Sequence, residues 1–371
     1  MEPMTSDYAD HSTIQQLSIN NNMDIVRMAI EHWISRSEIT ASSAYGSHAT
    51  SKPFNIGDFG CSHGRNSLGP LSAIISQYRK ANETNDIVVY HNDLPQNDFS
   101  QLFLELYKNP QSYTKQFTNA FPVAVGKSFY KQICASNCID ISIAFNCFHW
   151  SSSLTTPHKQ SIFYGHTNDE HLKKIWKKDT VNDLVSILSN RAKELSTGGL
   201  LITNLLTNDN DAFEESRMFY RQIKNCWEQL AADGTITASE ADNMVYPFRY
   251  YSYDDIQNAV SHPIVQEYGL RIKFIEQRST SCPYKQYRSD SADFAERLFR
   301  GFCAFTEPTW KSNLKGTREH RNMVWDKYHG LFVKYFSENP SQGCIPNHYY
   351  SLIFEKPSDD ASSLESGGAS C

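Results

Sequence analysis

No stretch of this 371-residue chain holds more than two consecutive Lys or Arg, and 41 acidic residues outnumber 35 basic ones for a formal net charge of −6. Proteins that grip phosphate backbones depend on a basic excess to displace condensed counterions, so a nucleic-acid partner is not expected. Nor does any run approach the ~20 apolar residues a membrane span requires, and the segment MEPMTSDYADHSTIQQ lacks a basic region followed by an apolar one. The nine cysteines are odd in number and include no CxxC pair. A chain of this length can build a core without staples, so they read as reduced thiols in a soluble, cytoplasmic protein. Internal repeats are absent too.

What is present is a globular composition, 40% hydrophobic and 20% charged, with helices and strands in alternation. Residues 12–35 carry Ile14, Leu17, Ile25, Met28, Ala29 and Trp33 near helical spacing, and residues 40–52 form a Ser/Thr/Ala-rich linker. A short strand from Phe54 to Asp58 follows, then a helix from about Asn66 to Lys80 and strands at Ile87–His91 and Ile139–Phe145, with a helix at Leu102–Tyr107 and a short strand or extended loop at Pro122–Val125 between them. The spacing predicts a helix over 181–195 stopped by Thr197-Gly198-Gly199, with a strand at 200–205 directly behind it. Such alternation implies crossover units and a mostly parallel sheet. Residues 206–330 differ: they are polar, aromatic-rich and helical in pattern (213–230, 253–260, 292–305), save for a strand near 270–275. This divides the chain into a core over 1–205, a mainly helical cap over 206–330, a last helix and strand over 331–356, and a Ser/Gly/Asp-rich tail over 357–371 expected to be disordered.

Four constellations carry the chemistry. Asp58-Phe59-Gly60-Cys61-Ser62-His63-Gly64-Arg65-Asn66 closes the first sheet strand; its glycines allow a sharp turn and close backbone approach, where open parallel sheets collect ligands. The loop carries an acid and lacks the third glycine of a dinucleotide loop, which fits a cofactor with an ammonium group and no pyrophosphate. Asp93, in His91-Asn92-Asp93-Leu94-Pro95-Gln96-Asn97-Asp98-Phe99, directly follows the second strand, where a carboxylate can accept from both ribose hydroxyls; Asp98 reads as a helix cap. Ser128 and Phe129, in Gly126-Lys127-Ser128-Phe129-Tyr130, could bond and stack on a purine, although Phe129 taken alone reads as a core residue. Finally, His149 and Trp150 end Asn146-Cys147-Phe148-His149-Trp150 with two N–H donors beyond a strand's carboxyl end.

In this order the segments resemble the SABATH family of S-adenosylmethionine-dependent carboxyl methyltransferases. Tyr8-Ala9-x-x-Ser12-x-x-Gln15 resembles YAxNSxxQ, DFGCSHGRN resembles DLGCSSGPN, and NDLPQNDF resembles NDLPGNDF; GKSFY, FHW, RAKELSTGGLLIT and Thr306-Glu307-Pro308 each have counterparts. The resemblance implies a Rossmann-like class I methyltransferase: an α/β fold with a mostly parallel seven-stranded sheet and a helical cap. It implies S-adenosylmethionine as donor, with Asp58 and Asn66 holding the methionine ammonium and carboxylate, Ser12 helping, and Gly60 in the loop. Asp93 would bind the ribose, Leu94, Ser128 and Phe129 would meet the adenine, and Asn146 and Cys147 would line the cofactor wall. Gln15 and Trp150 would bond the carboxylate of a small carboxylic acid acceptor, with Tyr8 and His149 in the same pocket. No residue is required as acid or base, and no carboxylate cluster indicates a metal. The acid could be aromatic, aliphatic or dicarboxylic, and a homodimer is typical of such relatives. The neighbouring alternative is an N- or phenol O-methyltransferase with His149 as base; a nucleotide-dependent oxidoreductase and a non-catalytic binding protein are the more distant ones.

Overall fold

The computed structural model describes residues 4, 11–36, 52–153, 162–209, 211–343 and 346–357, with the backbone alone at 164 and 211–215. Tyr8, most of the 40–52 linker and the tail beyond 357 lie outside the described residues.

Helices α1 (Thr13–Asn20) and α2 (Met23–Arg36) precede the sheet. The chain then runs through β1 (Phe54–Phe59), α3 (Leu68–Ala81), β2 (Ile87–Asp93), α4 (Phe99–Lys108), the short α5 (Tyr113–Gln116), β3 (Ala120–Gly126) and β4 (Ile139–Ala144). A long α6 (Glu170–Glu194) leads into β5 (Leu195–Leu206), followed by α7 (Asp211–Ala232), α8 (Ala238–Asp242), α9 (Tyr253–Val260) and α10 (Pro263–Gln266). The chain continues as β6 (Arg271–Thr280), α11 (Ser291–Asn313), α12 (Arg318–Glu338) and β7 (Asn347–Glu355). Among the described residues no helix is long and apolar enough to cross a membrane.

The seven strands lie in the order β3-β2-β1-β4-β5-β7-β6, all parallel except β7, which runs antiparallel to both neighbours. β1 and β4 sit at the centre and are buried along their whole length, as FNIGDF and IDISIA allow: strands covered on both faces need no polar alternation. On one face Trp33 and Tyr78 of α2 and α3 pack over Phe54, the Tyr78 ring stacking on Phe54 at 4.0 Å. From β1 the chain winds outward through β2 and β3, and from β4 the other way through β5. The switch point, and the crevice it opens, therefore lies beyond the ends of β1 and β4.

Element ends follow local chemistry. Asp98 caps α4 as the sequence indicated, accepting from the backbone N–H groups of Ser100 and Gln101. Capping boxes start α8 (Thr237 with Glu240) and α9 (Ser252 with Asp255). Boundaries in α6 and α11 depart from the expected ones for identifiable reasons. α6 begins at Glu170, eleven residues before 181, because Asp169 caps a first stretch so rich in charge that it has almost no apolar stripe. It ends at Glu194, short of the glycine pair; Leu195 already pairs with Ile139, and Gly199 lies inside β5, where a Cβ would meet the Ser196 carbonyl at 2.7 Å. α11 runs through Pro308 to Asn313 instead of stopping near 305, its inner face held in an aromatic layer in which Trp227 stacks on Tyr328 and Trp310 donates to the Val245 carbonyl.

Candidate active site

β1 leaves the sheet at Gly60, which has φ +69; a Cβ there would stand 2.4 Å from the Cβ of Cys147, so both backbone conformation and space require glycine. The amides of Gly60 and Cys61 then donate to the Asn92 carbonyl, tying this turn to the end of β2. That tie carries the Ser62 N–H to Asp93 Oδ2 at 2.7 Å, while the Leu94 N–H reaches Oδ1 at 2.8 Å. Burial pushes the Asp93 carboxyl above its usual value, and the two N–H donors pull it back. One oxygen lone pair on each side stays unclaimed, which is what two neighbouring hydroxyls of a sugar need.

Asp58, also buried, accepts from Ser67 Oγ at 2.9 Å and lies 2.8 Å from His91 Nδ1. Asn66 donates to Ser12 Oγ at 3.1 Å, joining the glycine loop to the start of α1. Phe129 is placed by Arg191, which donates to its carbonyl at 2.7 Å, lies over the Phe59 ring and is paired with buried Glu194. Together Asp58, Gly60, Asn66, Asp93, Leu94, Phe129 and Cys147 enclose a cavity of about 910 Å³, mouth included. The structure thus brings together seven of the ten residues assigned to the cofactor by resemblance, and Asn146 makes an eighth. Ser12 stands behind Asn66, outside this wall, and so does Ser128, whose hydroxyl accepts from the Tyr130 N–H.

Asn146 has a second task. In the left-handed region at φ +54, it accepts from Ser18 Oγ and Asn204 Nδ2 and donates to the Gln15 carbonyl, so it bolts α1 to the ends of β4 and β5. Gln15 is thereby held over the crevice, where its Oε1 is buried without a hydrogen-bond partner. The Trp150 ring packs edge-on against Phe248, and its carbonyl accepts from Tyr130 Oη.

Gln15, Asn146 and Trp150 are shared with a second cavity of about 1050 Å³, mouth included. Its far walls come from α7 (Phe219, Tyr220), the segment before α9 (Tyr246, Phe248, Tyr250) and α11 (Phe302, Phe305). Among the described residues that line it there is no Lys, Arg, Asp or Glu, whereas the first cavity is lined by Asp58, Asp93 and Arg65. His149 lines only this second chamber; burial pushes its imidazole down to about 3, and its Nδ1 has no partner. These walls lie within the aromatic-rich segment 206–330 expected to cap the acceptor; which of its Phe and Tyr residues face the chamber was not legible, because they belong to separated stretches with no common motif.

Neither thiol in the first cavity's wall is poised as a nucleophile. Burial and the nearby aspartates push the thiols of Cys61 and Cys147 far above their ordinary value, and Cys147 donates to the Phe59 carbonyl. Asp58, Cys61 and His91 place ligand atoms within 4.8 Å of one another, a proximity that no sequence spacing announced. Asp58 accepts from Ser67 and faces His91, His91 reaches Tyr113 on its other side, and the Cys61 thiol donates to the Ser62 carbonyl, so each member already has a hydrogen-bond partner. Of the loop residues that depart from the family pattern, His63 is buried in the first cavity's wall and Arg65 lies 3.5 Å from Glu105.

Comparison with known proteins gives a consistent picture. A family model described as SAM dependent carboxyl methyltransferase matches residues 4–345. A probable S-adenosylmethionine-dependent methyltransferase of Arabidopsis thaliana is 29% identical over 326 residues, 82% of this chain and 84% of its own. Loganic acid O-methyltransferase of Catharanthus roseus is 26% identical over 225 residues, covering 56% of this chain and 58% of its own. A solved structure, loganic acid methyltransferase with SAH, superposes with a TM-score of 0.76 at 21% identity, covering 96% of this chain and 99% of that one, and so shares the fold.

Proposed function

We propose, from the premise that this chain belongs to the S-adenosylmethionine-dependent carboxyl methyltransferase (SABATH) family, that the acid it esterifies is a monocarboxylic acid with a bulky aromatic or otherwise apolar body. The reaction is methyl transfer from S-adenosylmethionine to a small carboxylic acid. The observation that carries the narrower reading is the second chamber: large, walled by Phe and Tyr, and free of charged side chains among its described residues. A second carboxylate buried there would meet no cation among the described residues, which costs several kcal/mol in order of magnitude.

The donor set of the first cavity fits the cofactor: an acid for an ammonium, an asparagine for a carboxylate, a rigid acid for a ribose and an aromatic ring for adenine. When bound, S-adenosylmethionine supplies an electrophilic methyl on a sulfonium. The remaining work falls to the protein. Gln15 and Trp150, on the wall common to both chambers, would donate to the acceptor carboxylate without protonating it, since both carry neutral N–H groups. A carboxylic acid with a pKa near ~4 is ionised at neutral pH, so positioning and exclusion of water suffice; orientation alone can contribute roughly 7–11 kcal/mol. The residues of 206–330 would close over the acid as a cap. His149, neutral and held down to about 3, is a poor base for a phenol, which disfavours the phenol or ring-nitrogen alternative.

The reading extends to setting. The net charge of −6 supports leaving nucleic acid out, the seven free cysteines among the described residues support a reducing cytoplasm, and a homodimer is the assembly proposed. Labelled S-adenosylmethionine offered with aromatic and alicyclic monocarboxylic acids, dicarboxylic acids and phenols tests the acceptor class. Ester formation on the first group is expected; a preferred dicarboxylate or phenol would sink the reading.

A further inference from the structure

β1 and β2 run parallel in a register that makes Asp58 and His91 direct partners, so their side chains leave the sheet on the same face. His91 is fully buried and engaged at both nitrogens: Nδ1 lies 2.8 Å from Asp58 Oδ2, and Nε2 lies 2.8 Å from Tyr113 Oη. Tyr113 opens α5, is itself fully buried, and sets its ring within 19° of parallel to the imidazole. Burial, with the charge of Asp58, pushes its phenol well above the ordinary value, so the hydroxyl keeps its proton and donates. A donor facing Nε2 makes that nitrogen the acceptor and leaves the imidazole proton on Nδ1, pointing at the carboxylate.

The consequence falls on Asp58. With Ser67 Oγ on Oδ1 and the imidazole on Oδ2, the carboxylate cannot turn, and each oxygen keeps a lone pair for the cavity it lines. The imidazole held between Tyr113 and Asp58 thus orients the acid from behind, on the side away from the cavity.

We propose that Tyr113 and His91 are positioning residues for the donor site, a buried relay that aims the Asp58 carboxylate at the ammonium group of the donor's amino-acid end. The inference rests on the assignment of Asp58 to that ammonium. Neither residue touches the cavity of the donor; they act through Asp58 alone.

Two ligands separate this role from a structural one. S-adenosylhomocysteine and 5′-methylthioadenosine share adenine, ribose and thioether, but only the first carries the amino-acid group. Calorimetry on the full chain should find His91→Phe weakened roughly ten- to a hundredfold for S-adenosylhomocysteine and changed no more than about twofold for 5′-methylthioadenosine. His91→Asn, which offers an amide N–H near the place of Nδ1–H, should recover most of the loss, and Tyr113→Phe should show a smaller, equally selective one. Equal weakening of both ligands, or no weakening of either, overturns the proposal. Should His91→Phe fail to fold, Tyr113→Phe decides by the same criterion. Wild-type protein that binds 5′-methylthioadenosine and S-adenosylhomocysteine equally well overturns instead the assignment of Asp58, and the relay with it.

Discussion

At the scale of single residues, the donor site is built from side chains whose other bonds are already made. Asp93 offers only the lone pairs that Ser62 and Leu94 leave, so its usefulness lies in geometry as much as in charge. Asp93→Asn turns an amide N–H toward one of those backbone N–H groups and removes the charge; S-adenosylhomocysteine affinity should fall at least about a hundredfold by calorimetry, and unchanged affinity would remove Asp93 from the ribose site. Trp150→Phe separates packing from hydrogen bonding, because a phenyl ring can still pack on Phe248 while the indole N–H is lost. Turnover per KM for the acid should drop roughly tenfold or more with S-adenosylhomocysteine affinity intact. His149 changes no charge near neutrality, so turnover per KM should stay level from about pH 5.5 to 8; a rise through the ordinary imidazole value of about 6.5 would reveal a working base.

At the scale of elements, the loops beyond β1, β2 and β4 lock one another. Gly60 fits under Cys147, the Gly60 and Cys61 amides hold the end of β2, and Asn146 anchors α1. Gly60→Ala places a Cβ against Cys147 at a positive φ and should destabilise the fold by about 1–3 kcal/mol, read as a lower urea midpoint, with weaker donor binding because Ser62 shifts from Asp93. These strand-end motifs were legible in the sequence, since a strand's last residues and its turn are contiguous. Asp98 was legible as a cap for the same reason. Less visible was the start of α6, where a charged first stretch gives the helix no apolar stripe to announce it, and the passage of α11 through Pro308, where packing outweighs one missing hydrogen bond. His91 passed as a residue merely preceding the acid motif, because its partners Asp58 and Tyr113 sit on other elements.

At the scale of the whole molecule, two chambers of opposite character meet at one wall, acidic on the donor side and uncharged on the acceptor side among described residues. Burying a neutral imidazole in the wall of the second chamber has a cost in acid. The folded value of His149, about 3, lies below the unfolded one, so between roughly pH 6.5 and 3 the unfolded chain binds more protons, and stability is lost as pH falls through that window. Urea unfolding of wild type and His149→Phe should show the variant gaining about 2–3 kcal/mol relative to wild type between pH 7 and pH 4.5; a constant difference would contradict the buried neutral state. The sequence by itself determined the alternation of helices and strands and the acids, glycines and aromatics at strand ends, because these depend on periodicity and on neighbours along the chain. Only the tertiary structure decided the sheet order with its antiparallel β7, the pairing of Asp58 with His91 and Tyr113, and the aromatic chamber. Each of those is a contact between residues far apart in sequence, and register and packing, not local pattern, select it.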